Sequence, residues 1–112
     1  NNSYVFNTTT NLNFRGTYLY QSSNNTLINI IANNNSEKGI ILSSSSNNTL
    51  TNITANSNNQ SGIYFVGSSN NNLTGITANS NTDGIFVYQS SNNNRLSNII
   101  TNDNSQYGVY LF

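Results

Sequence analysis

Six of the 112 side chains carry a charge, and any acid–base chemistry would have to begin with three of them: Glu37, Asp83 and Asp103. Two carboxylates facing each other across a glycosidic bond can divide the roles of general acid and general base. A nucleophilic triad is excluded because the chain has no His. The absence of His, Cys and Met also removes the imidazole and sulfur ligands of copper and zinc sites and any disulfide. The remaining charges are Arg15, Lys38 and Arg95. A lysine or arginine acts as a base near neutrality only when burial or a charged neighbour lowers its pKa, and the pattern predicts neither. No third carboxylate or aromatic cleft surrounds Glu37 and Asp83, so all six read as solvated loop charges. The expected catalytic, metal and cofactor sets are empty.

Composition narrows the partners. Three basic and three acidic residues give a net charge of zero, whereas a nucleic-acid binder needs clustered Lys or Arg. Apolar runs are about five residues long, far from the roughly 20 of a helical membrane span. Asn, Ser and Thr make up about half the chain. Such polarity argues for disorder, but disordered chains have high net charge and few aromatics, and here seven Tyr and five Phe recur periodically. The chain begins at Asn1 without Met, which reads as a processed export product or an excised fragment. N-x-S/T sequons at Asn1, Asn7, Asn24, Asn34, Asn47, Asn52, Asn59 and Asn72 would accept glycans on a secretory route; in so Asn-rich a chain most arise by chance.

The elements that must position these residues are set by a repeat. Gly16, Gly39, Gly62, Gly84 and Gly108 return at intervals of 23, 23, 22 and 24, the sign of stacked units that cannot bury their apolar faces alone. After each glycine runs an alternating, strand-like segment. Thr17, Ile40, Ile63, Ile85 and Val109 form one inward column, and Leu19, Leu42, Phe65, Val87 and Leu111 another. Further on come Leu27, Leu50, Leu73 and Leu96, then Ile30, Ile53, Ile76 and Ile99, with Ala32, Ala55, Ala78 and Thr101 as their small inward partners. Leu and Ile lie three positions apart, so both face inward only if the chain bends between them. The column Asn29, Asn52, Gly75, Asn98 supplies residue types that accept a left-handed backbone. The third coil is one residue short before Gly84, and an insertion near Arg95 lengthens the fourth.

Three short strands per coil of about 23 residues, stacked in parallel over four to five coils, predict an all-β solenoid, the right-handed parallel β-helix. Its coils start at the five glycines and fill residues 16–112, with residues 1–15 an irregular opening segment or partial coil. By rise alone Glu37 and Asp83, two coils apart, would stand about 10 Å from each other.

The segments GIILSSSSNNTLTNITANSN and GIYFVGSSNNNLTGITANSN resemble the right-handed parallel β-helix repeat family from Gly16 to Phe112. That group includes pectate-lyase-like enzymes, a periplasmic copper-binding protein of nitrous-oxide reductase maturation, and archaeal and bacterial cell-surface proteins. The resemblance implies the fold. It also implies that an enzyme of this kind would use clustered acids, calcium or paired carboxylates, and a basic residue. Glu37, Asp83 and Asp103 do not form such a cluster, and no residue matches a copper ligand.

The remaining candidates face outward. Tyr18, Ile41, Tyr64, Phe86 and Tyr110 form one column and Tyr20, Ser43, Val66, Tyr88 and Phe112 a second. Soluble proteins seldom leave so contiguous an apolar patch without a partner. Three readings stand: lateral packing or cover by a loop or the N-terminal segment, stacking on sugar rings, or strand propensity alone. The chain stops inside the strand motif GVYLF with no cap, which predicts head-to-tail contact with another copy. The expectation is a non-enzymatic structural protein of the cell exterior, a rod that stacks end to end into a filament or forms part of a surface layer. A carbohydrate-binding module for cell-surface polysaccharide is the alternative, followed by a degenerate polysaccharide-active enzyme.

Overall fold

The computed structural model describes residues 2–112; the sequon at Asn1 lies outside them. Ten strands form two parallel sheets. In one, β1 (Tyr4–Phe6), β3 (Thr26–Ile31), β5 (Thr49–Thr54), β7 (Asn72–Thr77) and β9 (Arg95–Ile100) lie in chain order. In the other, β2 (Thr17–Tyr20), β4 (Ile40–Ser43), β6 (Ser61–Val66), β8 (Asp83–Tyr88) and β10 (Tyr107–Leu111) do the same. Each strand therefore pairs with its equivalent one coil away. No helix occurs among the described residues, so none is long and apolar enough to cross a membrane.

The inward columns form a single core. Ile40, Leu42, Leu50, Ala55, Ile63, Phe65, Leu73, Ala78 and Ile85 have no exposed surface. Each large side chain contributes about 1.5–3 kcal/mol by leaving water. Leu96 and Ile99 only half-bury against this core, while Val109 and Leu111 are exposed at the last coil.

The bend between Leu and Ile is where the spacing requires it. Asn29, Asn52, Gly75 and Asn98 have φ of 56°, 54°, 67° and 53°. Strand pairing passes over that residue, joining Leu50 to Leu73 and Ile53 to Ile76. The expected second and third strands are thus one six-residue strand with a corner in it, and the coil keeps three straight segments. Asn7 extends the column into the opening segment at φ 49°, its Oδ1 accepting from Asn29 Nδ2 at 2.9 Å. Tyr4, Val5 and Phe6 pair with Thr26, Leu27 and Ile28.

Three further left-handed columns turn each coil: Asn24, Asn47, Asn70 and Asn93; Asn34, Ser57, Ser80 and Asp103; and Gln21, Ser44 and Gly67, followed by Gln89 and Ser90. The insertion in the fourth coil is in this last column, not near Arg95. Val66 pairs with Tyr88, and Ser68 N–H reaches Ser91 Oγ, so two residues replace the single Gly67. The tight turn simply takes one more left-handed residue. The glycines that open the strands have another cause. A Cβ on Gly62 would stand 2.8 Å from the carbonyl oxygens of Ala55 and Gly84, so the coil closes there only without a side chain.

Turns interrupt backbone pairing, and side chains replace it. Asn25 N–H donates to Asn48 Oδ1, Asn48 N–H to Asn71 Oδ1 and Asn71 N–H to Asn94 Oδ1, each at 2.8 Å. The same oxygens accept from the preceding Asn Nδ2 at 3.1 Å. A second ladder joins Asn35, Asn58, Asn81 and Asn104, and a third runs from Ser22 through Ser45 and Ser68 to Ser91. Asn48, Asn58, Asn71 and Ser45 are buried. Replacing Asn71 with Ala strands the buried Asn48 N–H, which costs about 1–3 kcal/mol. We expect thermal or urea unfolding of Asn71→Ala to show at least that loss, while Ala at the exposed Asn92 leaves stability nearly unchanged.

Candidate functional site

The outer face of the β2–β4–β6–β8–β10 sheet gathers the outward columns. Rings of adjacent coils stack along it: Tyr64 to Phe86 at 5.6 Å between centroids, Phe86 to Tyr110 at 4.8 Å, and Tyr88 to Phe112 at 5.2 Å. Tyr18 pairs within its own coil with Tyr20 at 6.0 Å. Aromatic pairs at such separations add about 0.5–1.5 kcal/mol beyond area burial. Tyr18, Tyr20 and Phe112 are exposed, Tyr64, Val66, Phe86, Tyr88 and Tyr110 half-buried. Ile41 points outward yet is buried, 5% exposed, because it is shorter than the tyrosines above and below it. The N-terminal segment does not cover this face, since β1 adds to the other sheet.

A third column shares the face. The residues just before the glycines, Arg15, Lys38, Ser61, Asp83 and Tyr107, would point inward if alternation continued through Gly. Pairing passes over the glycine, joining Ser61 to Asp83 and Ile63 to Ile85, and at this bend Arg15, Lys38 and Tyr107 turn to the outer rings while Ser61 and Asp83 stay buried. Arg15 Cζ lies 5.6 Å from the Tyr18 ring centroid, Lys38 Nζ 4.9 Å from that of Tyr64, and the Tyr107 ring 4.7 Å from that of Tyr110. The glycine alignment contains this column, but strict alternation assigns it to the wrong side.

Arg15, Glu37, Lys38 and Asp83 are therefore not free loop groups, whereas Asp103 is an exposed turn residue and Arg95 is exposed at the start of β9. Arg15 Nε donates to Glu37 Oε2 at 2.7 Å, and Lys38 Nζ donates to Gln60 Oε1. Burial holds the Lys38 ammonium below the ordinary lysine value, against the opposing charge of Glu37. Asp83 is the first residue of β8 rather than a loop residue, and is buried, with no hydrogen-bond partner for Oδ1. Desolvation raises its pKa, opposed by a hydrogen bond from the Tyr107 backbone. Asp103 occupies a left-handed corner shared with Asn34, Ser57 and Ser80. The acids thus have three different structural settings: an ion pair, a buried strand position and a turn. No group of three or more His, Cys, Asp or Glu converges to hold a metal among the described residues.

The sequons at Asn7, Asn24, Asn34, Asn47, Asn52 and Asn59 are exposed, five of them at left-handed corners. Asn72 is half-buried within β7, and its Oδ1 is enclosed without a partner.

Among protein-family models, that of the right-handed β-helix region matches residues 1–112. The chain belongs to the right-handed β-helix family. Its coil length, parallel sheets and corner columns are those of a β-helix of about five turns. Neither the curated proteins nor the solved structures compared with this β-helix give a match.

Asp83 gives this face a pH dependence with a definite sign. A folded-state pKa above the unfolded value means that the protonated side chain favours folding and that this contribution is lost as pH rises through the folded pKa. Asp83→Asn should be more stable than the parent at pH 7. The difference should shrink as pH falls through the folded pKa towards the ordinary carboxylate value, as read by urea midpoints across that range.

Proposed function

We propose that this β-helix is a non-enzymatic structural protein of the cell exterior, a rod that extends by coil-on-coil contact into a filament or a segment of a surface layer. The observation that carries the reading is an unpaired strand edge at each end of the described stack. At one end β9 and β10 are paired on one side only, beside the half-buried Leu96 and Ile99 and the exposed Val109 and Leu111. At the other, β2 has one unpaired edge, with Leu19 and the first rung of the serine ladder at Ser22, while β1 covers β3 and the N–H groups of Ser3 and Asn13 close the two asparagine ladders. The ladders run both ways along the stack: Asn48 and Asn58 N–H donate to the following coil, while Asn56 and Ser46 N–H donate to the preceding one, so an added coil can both give and receive such bonds. A further coil at the β9–β10 end, whichever chain supplies it, would continue both the core and the ladders; at the β2 end it would meet the edge of β2 and the serine ladder. Contact of this heterologous kind propagates along one axis. The dispersal of the acids into an ion pair, a strand and a turn supports a non-catalytic role.

Electron microscopy and sedimentation velocity of the purified chain test this. We expect rods of constant width that lengthen with concentration, and expect Leu111→Arg, which places a charge on the open end, to hold the protein as single units. A parent chain that stays monomeric at high concentration would overturn the reading.

A second reading, glycan binding, is favoured by the uncovered aromatic face, where Tyr64 and Tyr110 flank Phe86. Tyr64→Ala and Tyr110→Ala should then abolish retention on immobilised cell-surface polysaccharide; unchanged retention dismisses it.

A further inference from the structure

The ring ladder on the outer face has a gap. From the third coil onward every coil supplies a ring to the central column: Tyr64, Phe86 and Tyr110, at 5.6 and 4.8 Å. The first coil supplies Tyr18, but the second supplies Ile41, so Tyr18 and Tyr64 stand two coil rises apart, about 9.6 Å. A shallow pocket of about 140 Å³ opens there, floored by Ile41, walled by the two tyrosines, and edged by Arg15 and Lys38 on one side and Ser43 and Val66 on the other. A cavity of about 150 Å³ suffices for benzene. With the walls two rises apart, a ring entering over Ile41 would lie about 4.8 Å from each tyrosine once the side chains that hold Ile41 to 5% exposure swing aside.

The rim selects among rings. Arg15 Cζ lies over the Tyr18 ring and Lys38 Nζ over the Tyr64 ring, and each retains N–H donors beyond its bonds to Glu37 and Gln60. With Glu37 paired to Arg15, the rim carries a net positive charge in a chain that is neutral overall. The ammonium of Lys38 is partly desolvated, a condition an incoming anion relieves.

We propose that the slot between Tyr18 and Tyr64 is a binding site for a small aromatic carboxylate, its ring taking the missing place in the ladder over Ile41 and its carboxylate meeting Lys38 and Arg15. The site depends neither on end-to-end assembly nor on glycan binding. Filling the gap from within should close it: Ile41→Tyr supplies the absent ring, and Lys38→Gln removes a charge while leaving the walls in place.

The test is calorimetric titration with benzoate and 4-hydroxycinnamate, each against its uncharged amide and against glucuronate, with the fold monitored by circular dichroism. We expect 1:1 binding of the aromatic acids, weakened at least about tenfold by Ile41→Tyr and several-fold by Lys38→Gln, with the amides and glucuronate binding more weakly. Absence of binding at about 10 mM of either acid overturns the proposal. So does binding that Ile41→Tyr leaves unchanged, or equal binding of the amides, or glucuronate binding as tightly, which would make the slot a pyranose site. Should Ile41→Tyr lose its fold, Ile41→Phe and the Lys38→Gln titration decide on the same criteria.

Discussion

A polar corner inside a narrow solenoid leaves backbone N–H groups without strand partners, and the rest of this structure depends on their being satisfied by asparagine and serine side chains from the next coil. An unsatisfied buried donor costs about 1–3 kcal/mol, and each coil has several such corners. The Asn side chain answers twice: its Oδ1 accepts a backbone N–H and an Nδ2–H from one neighbour, while its own Nδ2 donates to the coil beyond or to a core carbonyl. Thus a chain that is about half Asn, Ser and Thr folds around a core of few, small apolar layers. The polarity that suggests disorder is the second half of the core.

The ladders also set the spacing on which the outer face depends. Equivalent residues must repeat at the coil rise, so outward side chains form columns whether or not they attract each other. Where successive coils supply rings, the rings stack; where one supplies Ile41, the column has a gap. Length changes are absorbed in the corners. The residue missing from the third coil is accommodated by the N–H groups of Thr82 and Asp83, both directed at the Gln60 carbonyl, and the extra one in the fourth by a second left-handed residue at Gln89–Ser90. Both leave the strand registers intact.

The fold was largely legible in the sequence because a repeat multiplies weak signals. One Gly-Ile pair means little, but five aligned copies separate the Ile63 and Phe65 columns from the Tyr64 column, and the lone Gly75 among asparagines reports the sign of φ. Less legible was the polar interior. Asn48, Asn58 and Asn71 look like loop residues, because their burial depends on the neighbouring coil and not on any local apolar pattern. The column just before the glycines is hard to place for a related reason. Alternation carried through the glycines assumes a straight strand, whereas the close approach of Ala32 O to Gly39 and the pairing that passes over Gly108 mark bends that turn Lys38 and Tyr107 outward. Asp83 reads as a loop residue because it stands one position before Gly84, taken as the start of the strand, whereas β8 begins at Asp83 itself.

The most direct measurement of this account is residue-resolved hydrogen exchange of the folded chain. If side-chain ladders close the corners as backbone ladders close the strands, the amides of Asn48, Asn58 and Asn71 will exchange as slowly as those of Ile53 and Ile63, in one cooperative unit. Corner amides that exchange orders of magnitude faster than the strands would mean that the asparagines merely line the turns, and would contradict it.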